Sequence, residues 1–190
     1  IKTLQVNGIM AVAKHFPGLG RAAKDPHFHL PVIKSDRTYI EKVNLPPFRS
    51  AIRAGVSGIM TSHALYPSLD PENPATLSPA VLGDLLRGRM KFRGLIITDD
   101  LEMGAITGRH DVALGALNSF QAGADILLIC KDQKKLLDSI RLIRNKILSG
   151  EVQYNRLDQS ISRIARAKKK YLKDLRKISL RKVEKYFELS

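Results

Sequence analysis

The sequence predicts an α/β fold built on a parallel sheet, and three observations predict it. Residues 8–13, 56–61, 95–98 and 125–129 are short apolar runs with the length and composition of buried strands. Segments with helical spacing or helix-cap chemistry separate them, so the chain reads as repeated βα units. Polar or ionisable residues stand just after three of the runs: Lys14-His15, Ser62-His63 and Asp99-Asp100. A barrel of the (β/α)8, or TIM-barrel, type assembles its site in that way, from several strand ends at one face. Such a barrel needs eight strands and typically ~250 residues. The 190 residues here supply half of one.

The first strand, residues 8–13, ends at Lys14-His15, and a polar loop rich in Gly, Pro and His runs on to about residue 36. Asn44 is read as the cap of a short helix, with Pro46 near its first turn and Gly55 as its stop. Strand 56–61 follows, then a Pro-rich loop over 66–74. Ser78-Pro79 is a cap followed by proline at the first helical position, which opens a helix over 79–89. After strand 95–98, Asp111 caps a helix that Gly123 stops, and strand 125–129 comes next. Leu136, Ile140, Ile143 and Ile147 lie at helical spacing; Leu157, Ile161, Ile164, Leu172 and Leu175 predict another helix, and 177–189 a short last one.

Composition bounds the function. At 44% hydrophobic residues the chain can bury a sizeable core, and no apolar run approaches the ~20 residues that span a bilayer. A single cysteine, Cys130, excludes an internal disulfide and leaves a zinc site few thiolates. The chain opens on Ile1 with no signal-peptide pattern, so its start reads as internal to something longer. Net charge is +14 and uneven: residues 1–130 carry 14 Lys and Arg against 11 Asp and Glu, residues 131–190 carry 18 against 7. No aromatic-interleaved motif accompanies the basic end, so it reads as the solvated face of amphipathic helices, not as a nucleic-acid surface.

Two segments can carry chemistry. Two carboxylates at the end of a buried strand are costly to desolvate, so Asp99 and Asp100 face a cleft, and strand alternation lets at most one look at the barrel axis. Such a carboxylate serves as nucleophile, base or metal ligand. Lys14-His15 offers a cation and a neutral donor suited to sugar hydroxyls or an anionic group. In Asp25-Pro26-His27 the carboxylate can fix the tautomer of the imidazole and raise its basicity, which suits proton transfer near neutral pH. His27-Phe28-His29 also has metal-ligand spacing, which leaves open a metal-dependent hydrolase using His27, His29, His63 and Asp99.

Lys14-His15-Phe16-Pro17-Gly18-Leu19-Gly20, then four residues, Asp25-Pro26-His27, three residues and Pro31 resemble the signature K-H-F-P-G-H-G-x4-D-S-H-x3-P of bacterial β-N-acetylhexosaminidases in glycoside hydrolase family 3. Met60-Thr61-Ser62-His63 and Ile97-Thr98-Asp99-Asp100-Leu101-Glu102-Met103 resemble its later strand-end motifs, in the right order. The resemblance implies a retaining glycosidase, with no cofactor, that removes terminal β-linked N-acetylglucosamine from oligosaccharides or cell-wall fragments, as in peptidoglycan recycling. It casts Asp99 as nucleophile, His27 with Asp25 as acid/base dyad, Lys14 and His15 as ligands of the sugar, and Met103 and His63 as pocket wall. It favours a cytoplasmic over a periplasmic setting, though the sequence itself fixes no compartment.

The chain departs from the signature twice: Leu19 stands for the usual His and Pro26 for the usual Ser, which stiffens the dyad. An imidazole acid repels an incoming anion less than a carboxylate would, so phosphate could replace water as acceptor. The resemblance makes residues 1–150 the carboxyl-terminal half of the barrel, its last four βα units, and 151–190 a basic helical extension packed on it. Strands 8–13 and 125–129 are then unpaired edges, open to the other half-barrel or to a second copy. A catalytically incomplete remnant or binding module is the reading from another class.

Overall fold

The computed structural model describes residues 1–20, 29–172 and 179–187. The chain runs through α1 (Lys2–Val6) and β1 (Val12–Phe16) into a continuous helical stretch: α2 (Arg37–Tyr39), a π turn (Ile40–Asn44) and α3 (Leu45–Arg53). β2 (Gly58–Thr61), the hairpin β3 (Leu65–Tyr66) and β4 (Asp70–Pro74), a π-type helix (Ala80–Arg89) and β5 (Leu95–Asp100) follow. The rest is α4 (Gly104–Thr107), α5 (Val112–Ala122), β6 (Ile126–Leu128), α6 (Gln133–Leu148), α7 (Tyr154–Tyr171) and α8 (Leu180–Phe187).

β1, β2, β5 and β6 form one parallel sheet in that order. Gly58 pairs with both Val12 and Leu95, and Ile97 with Ile126, so the strands enter nearly level and their carboxyl ends share one face. The α/β half-barrel with added C-terminal helices is therefore present. β1 and β6 are its edges, and Ile9 and Val12 at the β1 edge are exposed. Helices cover the other side. Phe16, Phe48, Ile59, Leu82, Leu86, Phe92 and Ile96 share the main core, with Phe16 and Phe48 edge to face at 5.1 Å. Gly94 opens β5 because nothing larger fits: a Cβ there would stand 2.5 Å from the Ser57 carbonyl and 2.6 Å from the Phe92 ring.

Several expectations need correction. The first strand is displaced: Val12–Phe16, not 8–13, so Lys14 and His15 lie within it, and the Lys14–His15 peptide bond is cis. The third strand runs on to Asp100 instead of stopping at Thr98. Asn44 caps nothing; it has helical dihedrals inside a helix that starts eight residues earlier, at Asp36, whose carboxylate accepts from the Tyr39 amide at 2.7 Å. Residues 66–74 are mostly the hairpin β3–β4, pinned by Asp70, which accepts from the Glu72 and Asn73 amides and the Ser78 hydroxyl. α1 and α4 were not anticipated. The Asp111 cap, the Gly123 stop at φ 127° and the helices after β6 are as expected.

The amino-terminal end of the sheet is tied by one carboxylate. The Asp125 side chain is wholly buried; it meets Arg87 at 2.6 Å and Arg163 at 2.9 Å, and Arg156 stands 4.0 Å away. It also accepts from the Ile96 amide at 3.0 Å and the Ser160 hydroxyl at 2.7 Å. Sheet, helix Ala80–Arg89 and α7 thus meet on this residue. Removing one partner from a buried ionic cluster strands the others, at a cost of about 3–5 kcal/mol. Asp125→Asn is therefore expected to lower the urea midpoint by that amount of stability with an unchanged m value. A midpoint equal to that of the parent would show that the cluster carries no stability.

Candidate active site

The carboxyl ends of β1, β2 and β5 bring three functional residues to one place. His15 on β1 and Asp99 on β5 face each other across β2, with Nε2 of His15 3.5 Å from Oδ2 of Asp99 and about a quarter of each side chain exposed. Asp99 Oδ1 accepts the Asp100 amide at 2.9 Å, which fixes the carboxylate against its own backbone. Asp100 turns elsewhere: its Oδ1 accepts the Glu102 amide at 3.1 Å and its carboxylate meets the Cys130 thiol. Of the two acids, Asp99 is the one beside His15, in keeping with strand alternation. Burial holds His15 below its ordinary imidazole value, against the pull of Asp99 and with help from Lys14. A neutral ring there faces the carboxylate without adding a positive charge beside it.

His63, expected as pocket wall, is buried at 1% exposure on the strand end between these two. Its Nε2 lies 2.9 Å from the Asp100 carbonyl and its Nδ1 2.8 Å from the Thr76 hydroxyl. A carbonyl only accepts, so Nε2 carries the proton, while the Thr76 hydroxyl beside Nδ1 donates to the Ser62 carbonyl at 2.9 Å. Thr61 Oγ1 stands 2.7 Å from the Thr76 oxygen and completes the chain. His63 therefore grips the backbone that follows Asp99, and both its nitrogens are already engaged with protein groups. Among the described residues no group of three His, Cys, Asp or Glu is placed to hold a metal. Met103 is buried too, at the amino end of α4, while Lys14 is exposed.

Asp25 and His27 lie outside the described residues, and His29, at their border, is exposed. Both flanks of that segment are anchored. The Gly18 carbonyl accepts from the Tyr66 hydroxyl and from the Asn44 amide, each at 3.0 Å. Gly18 has φ 125°, and a Cβ on it would press on Asn44 at 3.1 Å. Leu19 packs against the main core, which accounts for an apolar residue at that position. On the far flank the Leu65 amide donates to Pro31 and the Ile33 amide to Leu65. A cavity of about 550 Å3 lined by Lys14, His15, Gly18, Leu19, Tyr39 and Asn44, among others, adjoins the near flank.

Tyr66, Asn44 and Thr76 were missed from the sequence. Asn44 had been read as a cap, and nothing adjacent to Tyr66 or Thr76 marks them as anchors. Glu102 was missed as well: it accepts the Lys131 amide at 2.6 Å, meets Lys135 at 3.6 Å, and so ties the turn after β5 to the one after β6.

A carboxylate and an imidazole thus stand at the carboxyl-terminal face of four parallel strands, the face at which (β/α) barrels carry their sites. The glycosyl hydrolase family 3 N-terminal domain matches residues 1–167, and the chain belongs to that family. The beta-hexosaminidase of Nitrosomonas eutropha is 38% identical over 165 residues, which cover 85% of this chain and 47% of that protein. A glycoside hydrolase family 3 beta-N-acetylglucosaminidase from Paenibacillus sp. str. FPU-7 superposes with a TM-score of 0.89 and 34% identity, over 92% of this chain and 34% of that one. A beta-glucoside phosphorylase, BglX, superposes with a TM-score of 0.81 and 27% identity, over 90% and 32%. The chain spans less than half the length of these relatives.

Burial holds His63 below its ordinary value of 6.5, against the hydrogen bond it donates to the Asp100 carbonyl and the charge of Asp99. As pH falls, the unfolded chain protonates there first, so the fold loses stability below about 6.5 and keeps it fully above. Melting temperature is expected to drop between about pH 7.5 and pH 5, with His15 acting in the same direction. His63→Gln keeps a donor for Asp100 and should flatten that drop. An unchanged slope in this variant would remove His63 as its source.

Proposed function

We propose that this chain carries the catalytic half of a retaining β-N-acetylglucosaminidase. The observation that carries the reading is Asp99: about a quarter exposed, at the carboxyl end of a parallel strand, facing His15 and held by its own backbone. In the proposed reaction Asp99 attacks the anomeric carbon, while His27, oriented by Asp25, gives its proton to the departing oxygen. A covalent glycosyl-enzyme results. His27, now a base, takes a proton from water, whose oxygen displaces Asp99 and restores the starting state. His15 faces Asp99 and helps to aim it, Lys14 reaches a sugar hydroxyl, and Met103 and His63 shape the floor from beneath. The anchored flanks at Gly18 and at residues 31–33 support a fixed entry and exit for the segment that carries the dyad.

A terminal β-linked N-acetylglucosamine on an oligosaccharide or cell-wall fragment is the substrate we infer, from the names of the relatives. The likeness to a phosphorylase keeps a second acceptor in play: phosphate in place of water would yield the sugar 1-phosphate. The open β1 and β6 edges, with the length of the relatives, support closure of the ring by another half-barrel or by a second copy. We assign residues 1–150 to the half-barrel and 151–190 to an extension that packs on it, as the Arg156 and Arg163 contacts of α7 support.

Release of p-nitrophenol from its β-N-acetylglucosaminide tests the assignments. Asp99→Ala is expected to lose ~10⁴-fold or more, as nucleophile deletions do. p-Nitrophenolate leaves without a proton, so His27→Ala should slow mainly the second step, by ~10²–10⁴-fold, and produce a burst. Turnover by the Asp99 variant equal to the parent sinks the reading. Added phosphate that diverts product to the sugar 1-phosphate selects the second acceptor.

A further inference from the structure

The end of the sheet opposite Asp99 holds more positive charge than its packing requires. Arg87, Arg156 and Arg163 share the single carboxylate of Asp125. That carboxylate has already accepted from Ile96 and Ser160, so it has little left for further cations. Burial, only partly offset by Asp125 and deepened by repulsion from Arg163 and Arg156, brings the Arg87 guanidinium down to about 10.

Two grooves open beside this cluster and share Arg93 and Arg163. The larger, about 370 Å3, is lined by Arg87, Arg93, Arg156 and Arg163 together with Gln121 and Gln159. The smaller, about 190 Å3, adds Arg166, Lys170 and Tyr171. No acidic residue lines either one. Arg93, Arg166 and Lys170 are exposed and have no acidic partner among the described residues. Six cations thus line two adjoining grooves beside one saturated carboxylate, and a concave surface of one sign of charge draws in a counter-ion.

We propose that these joined grooves bind a small anion carrying two linked phosphate groups. Guanidinium forks match phosphate oxygens two at a time, and Arg93 and Arg163 stand where both grooves can use them. Gln121 and Gln159 supply neutral donors that a bare charge sensor would not need. Cavities of a few hundred Å3 suit a small ligand. A nucleic-acid strand would want stacking platforms; the one aromatic ring lining the grooves is Tyr171, whose hydroxyl is engaged with Ser57.

Titration calorimetry of the full chain with inorganic pyrophosphate tests this without reading glycosidase turnover, so either proposal can fail alone. Saturable binding at one site per chain is expected, at least about tenfold tighter than for orthophosphate or sulfate. The double variant Arg93→Gln, Arg166→Gln should weaken it by about tenfold or more with an unchanged melting curve, whereas Arg37→Gln on α2 should not. No saturable heat, equal affinity for sulfate and pyrophosphate, or unaltered binding by the double variant would overturn the site. A single-stranded oligonucleotide that binds while pyrophosphate does not would overturn the small-ligand form of it.

Discussion

One buried carboxylate holds the assembly in register. Asp125 receives an amide from β5, a hydroxyl and a guanidinium from α7, and a guanidinium from the helix before β5. A lone buried anion is unfavourable, so every element that supplies a donor is drawn to the same point. The strands start level because of it, and strands that start level end at a common face. The position of Asp99 beside His15 is therefore decided at the other end of the sheet, several residues away.

The two faces divide labour by chemistry. At the amino-terminal face cations outnumber carboxylates and the side chains are spent on backbone carbonyls: Arg87 on Phe92 and Gly94, Arg156 on Phe120 and Ala124. At the carboxyl-terminal face an acid and two imidazoles lie within reach of one another, and the backbone between them is held by neutral hydroxyls. The first arrangement fixes helices to the sheet. The second holds a carboxylate in one orientation.

Much of this was legible in the sequence because it rests on local rules. Apolar runs separated by cap residues gave the four sheet strands, and the Asp111 cap and Gly123 stop followed from preferences that act within one turn. Strand ends were less legible. Lys14, His15, Asp99 and Asp100 are polar, so composition excluded them from their strands, but backbone pairing continues past the point where burial stops. Asn44 was misread because Asn favours caps, whereas here its amide serves Gly18, 26 residues away. His63 carries the same lesson. Its motif placed it at the site, but whether it faced substrate or the backbone depended on Thr76, and no spacing rule joins residues 13 apart on different elements.

The burial of His63 has a consequence for how activity data on such a site would be read. A falling acid limb in a pH–rate profile is ordinarily assigned to a reacting group. Here the ring beneath Asp99 has its own reason to resist protons, and gaining one would add a donor at Nδ1 and charge a buried ring packed against the Thr76 hydroxyl, which already donates to the Ser62 carbonyl. The floor under Asp99 would then rearrange without any change at the carboxylate itself. Part of the acid limb would belong to the scaffold, and only a probe of local structure taken alongside the rate would separate the two.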